Sequence, residues 1–178
     1  MKTIFLQLII LFACISITYS QQDIINEEYG FKITLPNEWS IIMDGLSKDP
    51  VDKEGYLLVA GYGQDLAFII EVEKEEIGIY KNHGSYDLEY FKKNFGNSAS
   101  KKYSEYKIES VDSLMISGAL FYNIITSSVL DNSRMIGRGY FAKYNDKIYT
   151  IISYCRESEY EKYKQGLNDC ISSFNFLK

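Results

Sequence analysis

The residues able to do chemistry are few, and their spacing decides what each set could do. His83, in NHG, is the sole histidine. A His-ligated zinc site or a Ser-His-Asp triad would rest on it alone, and a loop histidine beside Gly84 is the simpler reading. Glu71, Glu73 and Glu75 recur with a period of two, which places three carboxylates on one strand face with Glu76 adjacent. Such a row could gather a hard cation such as calcium. One edge of like charges supplies few converging oxygens, however, and no Asp-x-Asp-x-Asp-Gly loop is present, so a solvated sheet face is the plainer expectation and no metal is assigned. Gly61-x-Gly63 lacks the third glycine and the following helix of a dinucleotide site and reads as a turn.

Two further sets suggest contact rather than catalysis. Arg134 and Arg138 fall four apart on one face of a strand, with Gly137 and Gly139 permitting close approach of a backbone or ligand. They are the candidates for a small-anion or protein contact, against the alternative of surface arginines paired with nearby acids. Trp39 and Tyr62 are candidate aromatic anchors of an interface; alternatively Trp39 closes the core beneath the first strand. With no acid–base set, no cofactor site and no catalytic residue to name, a non-enzymatic role is expected.

The charge balance narrows the partners. The chain of 178 residues carries 19 basic and 24 acidic side chains, a net charge of −5. Its longest basic clusters are the pairs Lys92-Lys93 and Lys101-Lys102, so the basic stripe that a phosphate backbone or an anionic membrane surface requires is missing. Nucleic acid is excluded as an expected partner; a protein of unknown identity is expected instead.

The opening MKTIFLQLIILFACISITYSQQD has a positive Lys2, an apolar run from Ile4 to Ile17, and small Thr18 and Ser20 ahead of polar QQD. This reads as a secretory signal peptide over 1–20, cleaved between Ser20 and Gln21, leaving a secreted or periplasmic chain with no transmembrane segment. Leu11-Phe12-Ala13-Cys14 offers the alternative of a lipid anchor at Cys14, although Phe12 is bulky for a lipobox and apolar ISITY follows the cysteine. In an oxidising compartment the remaining pair, Cys155 and Cys170, is expected to form a disulfide stapling a strand to a helix, worth about 3 kcal/mol.

The elements that must position these residues follow from periodicity. Phe31, Ile33 and Leu35 alternate with Lys32 and Thr34 as a half-buried strand stopped by Pro36-Asn37, and 39–42 restarts an extended segment. After turn-rich DGLSKDPVDKEG, residues 56–60 and 66–72 form a hairpin about 61–65. Leu88, Phe91 and Phe95 mark an amphipathic helix, with Ser85 or Asp87 as its start and Gly96 as its end. Four strands then follow at 107–116, 119–130, 134–144 and 147–155. Their short links SG, DNS and ND imply antiparallel neighbours, since a parallel return needs a crossover of about a dozen residues or more. Tyr160, Tyr163, Leu167, Cys170, Ile171 and Phe174 recur at three and four as a closing helix, which Gly166 weakens by about 1 kcal/mol.

FKITLP..W, the central hairpin, the middle helix, GALFYNIITSS, YFAKYNDKIYTIISYC and the closing SSFNF together resemble the PsbP-like superfamily. That group includes the extrinsic subunit P of photosystem II, Mog-type Ran-binding proteins and exported DcrB-like lipoproteins. The resemblance covers about residues 29–176. It implies an α+β fold, an antiparallel β-sheet flanked by α-helices in an α/β/α sandwich. The domain is then expected over 29–178, after a short N-terminal extension at 21–28. It also implies a non-catalytic accessory or binding role; the metal-binding histidines of some plant members have no counterparts here. The alternative role is a carrier enclosing an apolar small ligand in the aromatic-rich sheet and helix core.

Overall fold

The computed structural model describes residues 21–49, 53–74 and 86–177. The expected signal peptide with Cys14, and also Glu75, Glu76, His83 and Ser85, lie outside the described residues.

The described chain runs β1 (Gln21–Asn26), β2 (Phe31–Pro36), β3 (Ser40–Asp49), β4 (Lys53–Tyr62), β5 (Leu66–Lys74), α1 (Leu88–Lys102), β6 (Ser104–Ile116), β7 (Ala119–Leu130), β8 (Ser133–Tyr144), β9 (Lys147–Arg156), α2 (Tyr160–Ser173) and β10 (Asn175–Phe176). A 3-10 turn, Glu157–Glu159, leads into α2. Two-residue turns make the β6-to-β9 meander. Ser117 and Gly118, then Asp131 and Asn132, take positive φ (49°, 83°, 48° and 62°), and Asn145 does so at 55°. Consecutive left-handed residues give a hairpin turn whose twist matches that of the strands it joins.

All pairings among the described residues are antiparallel. The large sheet has the order β3-β4-β5-β9-β8-β7-β6, and a small one has the order β1-β2-β10. The join between β5 and β9, from Leu66↔Cys155 to Lys74↔Lys147, brings the early hairpin beside the late meander. Strand alternation then divides the core. On one face of the large sheet Phe68, Ile70, Phe121, Tyr140 and Ile151 pack against Phe31, Ile33 and Leu35 of β2 and Leu167 and Ile171 of α2. On the other face Ile124, Phe141 and Ile148 pack against Phe91 of α1, whose ring stacks 5.3 Å from Phe141. Burying each such side chain contributes about 1.5–3 kcal/mol. The layering is therefore helix, large sheet, then a composite layer of small sheet and helix, rather than helices alone on both sides.

Several expectations change. Residues 21–28 contain a paired strand: β1 aligns Gln21–Asn26 with Phe31–Pro36, a role that the polar QQD start conceals. The stretch 44–55, expected as turn and loop, extends both arms of the β3–β4 hairpin to Asp49 and from Lys53. Gly96 lies within α1, which continues to Lys102. Asp87 does start that helix, its Oδ1 accepting the Tyr90 N–H at 2.9 Å. The closing helix stops at Ser173, and Asn175–Phe176 instead adds the edge strand β10.

The expected Cys155–Cys170 disulfide is not formed; both are buried free thiols. Cys155 ends β9 just before the turn into α2, whereas Cys170 lies ten residues into that helix. Ten residues place it about 15 Å along the helix axis from Tyr160, so the two thiols are set by different elements, and a bridge needs Cα atoms within ~7 Å with Cβ atoms aimed at each other. Both act as small apolar residues of the core.

Candidate functional site

The strand period puts Arg134 and Arg138 on the α2-facing side of β8, with Tyr140 and Ala142. Their side chains do different things. Arg134 is exposed and pairs through Nε with Glu157 Oε2 at 3.4 Å. Arg138 is half-buried: its Nε donates to Asn123 Oδ1 at 3.3 Å, its Nη1 donates to Asn168 Oδ1 at 2.7 Å, and its guanidinium lies 4.9 Å from the Tyr140 ring centroid. Burial raises the Tyr140 hydroxyl to about 12 against the opposing pull of the Arg138 charge. Gly137 does permit a close approach, to side chains of this chain: a Cβ there would meet Thr126 Oγ1 at 2.6 Å and Tyr154 Cε1 at 2.8 Å.

Trp39 closes the core, 3% exposed, with its ring 5.2 Å from Phe68. The Pro36 carbonyl accepts its N–H at 3.1 Å, and its own carbonyl accepts Gln22 Nε2 at 2.9 Å. Tyr62, at the end of β4, is exposed; its ring tilts 5.7 Å from Tyr163, and the Lys162 ammonium lies 5.3 Å above it. The four singled-out residues thus share a neighbour that sequence spacing does not reveal. Arg134 meets the turn into α2, Arg138 meets Asn168, Tyr62 meets Tyr163, and Trp39 lies beside Gly166, where a Cβ would be 4.0 Å from Cζ2.

Glu71 and Glu73 share the α1-facing side of β5, as their period requires, and Glu73 is buried. Among the described residues no three His, Cys, Asp or Glu side chains come together as a metal-binding group. The environment disfavours both thiolates: burial pushes Cys155 up to about 11 and Cys170 up to about 12, with Glu159 adding to the first and Asp169 and Glu38 to the second.

Sequence reading missed three surface features. The edge strand β3 exposes three consecutive apolar residues, Ile41, Ile42 (70%) and Met43, where its register with β4 shifts by a residue. The opposite edge, β6, has two such irregularities and presents Lys107, Glu109 and Asp112. Bulges and charges protect an edge from pairing; β3 carries one register shift, at Ile41/Met43, against two on β6, so β3 is the less protected of the two. A cavity of about 370 Å³ opens between β2 and α2, lined by Gln21, Thr34, Pro36, Asn37, Asp169 and Cys170. An apolar groove of about 280 Å³ runs over the other sheet face, lined by Ala67, Ile69, Tyr103, Leu130, Met135 and Tyr154. Ile41 and Ile42 fall in the extended segment read at 39–42; their exposure follows only from their place at the sheet edge.

No protein-family model matches the sequence, and no curated protein matches it. Solved structures do match. The cyanobacterial PsbP (CyanoP) of Synechocystis is 13% identical with a TM-score of 0.62, over 89% of this chain and 93% of that one. LpqN of Mycobacterium tuberculosis, described as involved in cell envelope biogenesis, is 10% identical with a TM-score of 0.57 over 89% and 91%. The Ran-binding protein Mog1p of Saccharomyces cerevisiae is 10% identical with a TM-score of 0.54 over 90% and 97%. The PsbP-like resemblance read from the sequence holds at the level of fold.

Proposed function

We propose, from a fold shared with CyanoP, LpqN and Mog1p, that this chain is an exported, non-enzymatic binding domain that takes a protein partner as an added strand along β3. The observation that carries the reading is the exposed Ile41-Ile42-Met43 run on an edge strand. An edge presents unpaired backbone donors and acceptors to a partner strand, and alternate side chains then select among partners. That Mog1p is a Ran-binding protein supports a protein-binding use of the fold; fold alone does not transfer a partner. Export rests on the apolar leader at 1–20, and LpqN's link to envelope biogenesis accords with it.

The test is affinity capture from the native cell envelope with wild-type protein and with Ile42→Lys, which places a charge at the most exposed apolar site without touching the core. The reading expects a stoichiometric protein recovered by wild type and lost with the variant. Equal recovery by both removes β3 as the site.

A second reading, a carrier of an apolar small molecule, is favoured by the groove lined by Ile69, Tyr103, Leu130 and Tyr154, somewhat below the usual range of about 300–1,000 Å³ for a small-ligand site. Native mass spectrometry of protein purified from its own host separates the two: a co-purifying small mass supports the carrier, a bound protein the accessory role.

A further inference from the structure

We propose, building on the export reading with cleavage between Ser20 and Gln21, that the cavity between β2 and α2 holds the α-ammonium created at Gln21, clasped by the carboxylates of Glu38 and Asp169. β1 runs antiparallel to β2 with Gln21 opposite Pro36. Its first residue therefore lies at the end of β2 that leads into the turn carrying Glu38. Gln21, Glu38 and Asp169 of α2 all line the same cavity, of about 370 Å³.

Charge complementarity selects the occupant. The lining includes two carboxylates and no lysine, arginine or histidine. Among the described residues Glu38 has no hydrogen bond or ion pair, and Asp169 is met by the neutral Gln165 amide, at 2.8 Å. Asp23, the acid of β1 itself, is already taken: it accepts from Thr34 Oγ1 at 2.7 Å and pairs with Lys32 at 3.3 Å. Cys170 also lines the cavity. Burial, then the charges of Asp169 and Glu38, disfavour its thiolate, so both carboxylates act on that wall while the thiol stays neutral. An α-ammonium, like a lysine head group, has three N–H donors, and carboxylates accept charge-assisted hydrogen bonds strongly. In the uncleaved chain the same nitrogen is a neutral peptide N–H, so the clasp forms only once the leader is removed.

The experiment uses the full chain expressed with its natural leader in its own host. Intact mass first reads the amino terminus: a chain beginning at Gln21 with a free amine is expected, whereas a retained leader overturns export and the clasp together. A different start, or a mass lower by one ammonia from closure of Gln21 onto its side-chain amide, overturns the clasp alone. The Gln21 α-carbon resonance is then followed by NMR against pH. An ordinary α-amino group titrates at about 7.7–8.0. Neighbouring carboxylates favour the charged form, so the midpoint should lie higher by about half to one pH unit. Glu38→Gln combined with Asp169→Asn should return it to the ordinary range; both positions are exposed, which spares the core. An ordinary midpoint in wild type, or one that the double variant leaves raised, overturns the clasp and leaves export standing.

Discussion

The Tyr149 hydroxyl donates to the backbone carbonyl of Tyr29 across 2.7 Å, joining residues 120 apart in the chain and the large sheet to the small one. Tyr149 also meets Phe31 edge-on at 6.5 Å and Phe174 at 6.0 Å. Tyr149→Phe keeps those ring contacts and removes the donor from a buried carbonyl. It should cost about 1–3 kcal/mol, read as a lower urea midpoint with an unchanged slope; an unchanged midpoint would mean the bond contributes nothing net.

Two glycines should respond in opposite directions to alanine. At Gly137 the new methyl meets Thr126 Oγ1 at 2.6 Å and Tyr154 Cε1 at 2.8 Å inside the sheet, and overpacking of this kind costs about 1–3 kcal/mol. At Gly166 the nearest atom is Pro36 Cγ at 3.7 Å, an ordinary contact, within a helix. There the gain in helix propensity should stabilise by up to about 1 kcal/mol. Paired thermal melts check both signs.

Alkaline stability should fall early because buried acids resist ionisation. Burial raises Cys170 from 9.0 to about 12 and Cys155 from 9.0 to about 11. Above pH 9.0 the unfolded chain releases those protons while the folded chain retains them, so the unfolded state binds fewer protons and stability declines as pH rises. Their full contribution is present below pH 9.0 and is lost as pH approaches 11 to 12. Cys170→Ala should flatten the decline between pH 9 and 10, measured by urea melts at stepped pH. An identical slope would remove Cys170 as a contributor.

Both thiols should be silent in the native protein. With Cys155 and Cys170 buried and unpaired, alkylating reagent should label neither before denaturant is added and both afterwards. A mass lower by about 2 Da than the fully reduced chain, the signature of one S–S bond, would contradict the free-thiol arrangement.

Arg134 and Glu157 are both well exposed, and such pairs contribute little in high dielectric. Arg134→Gln should therefore change stability by no more than about 0.5 kcal/mol, measured in the same melts at low and high salt. A larger loss would assign Arg134 a structural role that its geometry does not suggest.

Local pattern alone determined much of this protein. The alternation of Phe31, Ile33 and Leu35 fixed which side of β2 is buried, since successive strand side chains point to opposite faces. The turn residues at 117–118, 131–132 and 145–146 fixed the antiparallel meander, because left-handed conformations at 117, 118, 131, 132 and 145 let the chain reverse within two residues. The spacing of Tyr163, Leu167, Cys170 and Ile171 fixed the buried stripe of α2. Each of these rests on geometry a few residues long.

What the tertiary structure decided rests on contacts between distant segments. Pairing of β5 with β9 leaves β3 at an edge and exposes Ile42, whose apolar character in isolation argues for burial. Cys155 and Cys170 are buried as free thiols on β9 and α2, although the pair left after the expected cleavage and the expected address favoured a bridge. Arg138 differs from Arg134 because docking gives it Asn168 of α2 beside Asn123 and Tyr140, whereas Arg134 meets Glu157 at the turn into α2. Periodicity reports which face a side chain occupies; which groups wait on that face depends on how the layers dock, and docking is set by the packing of residues more than a hundred positions apart, such as Tyr29 and Tyr149.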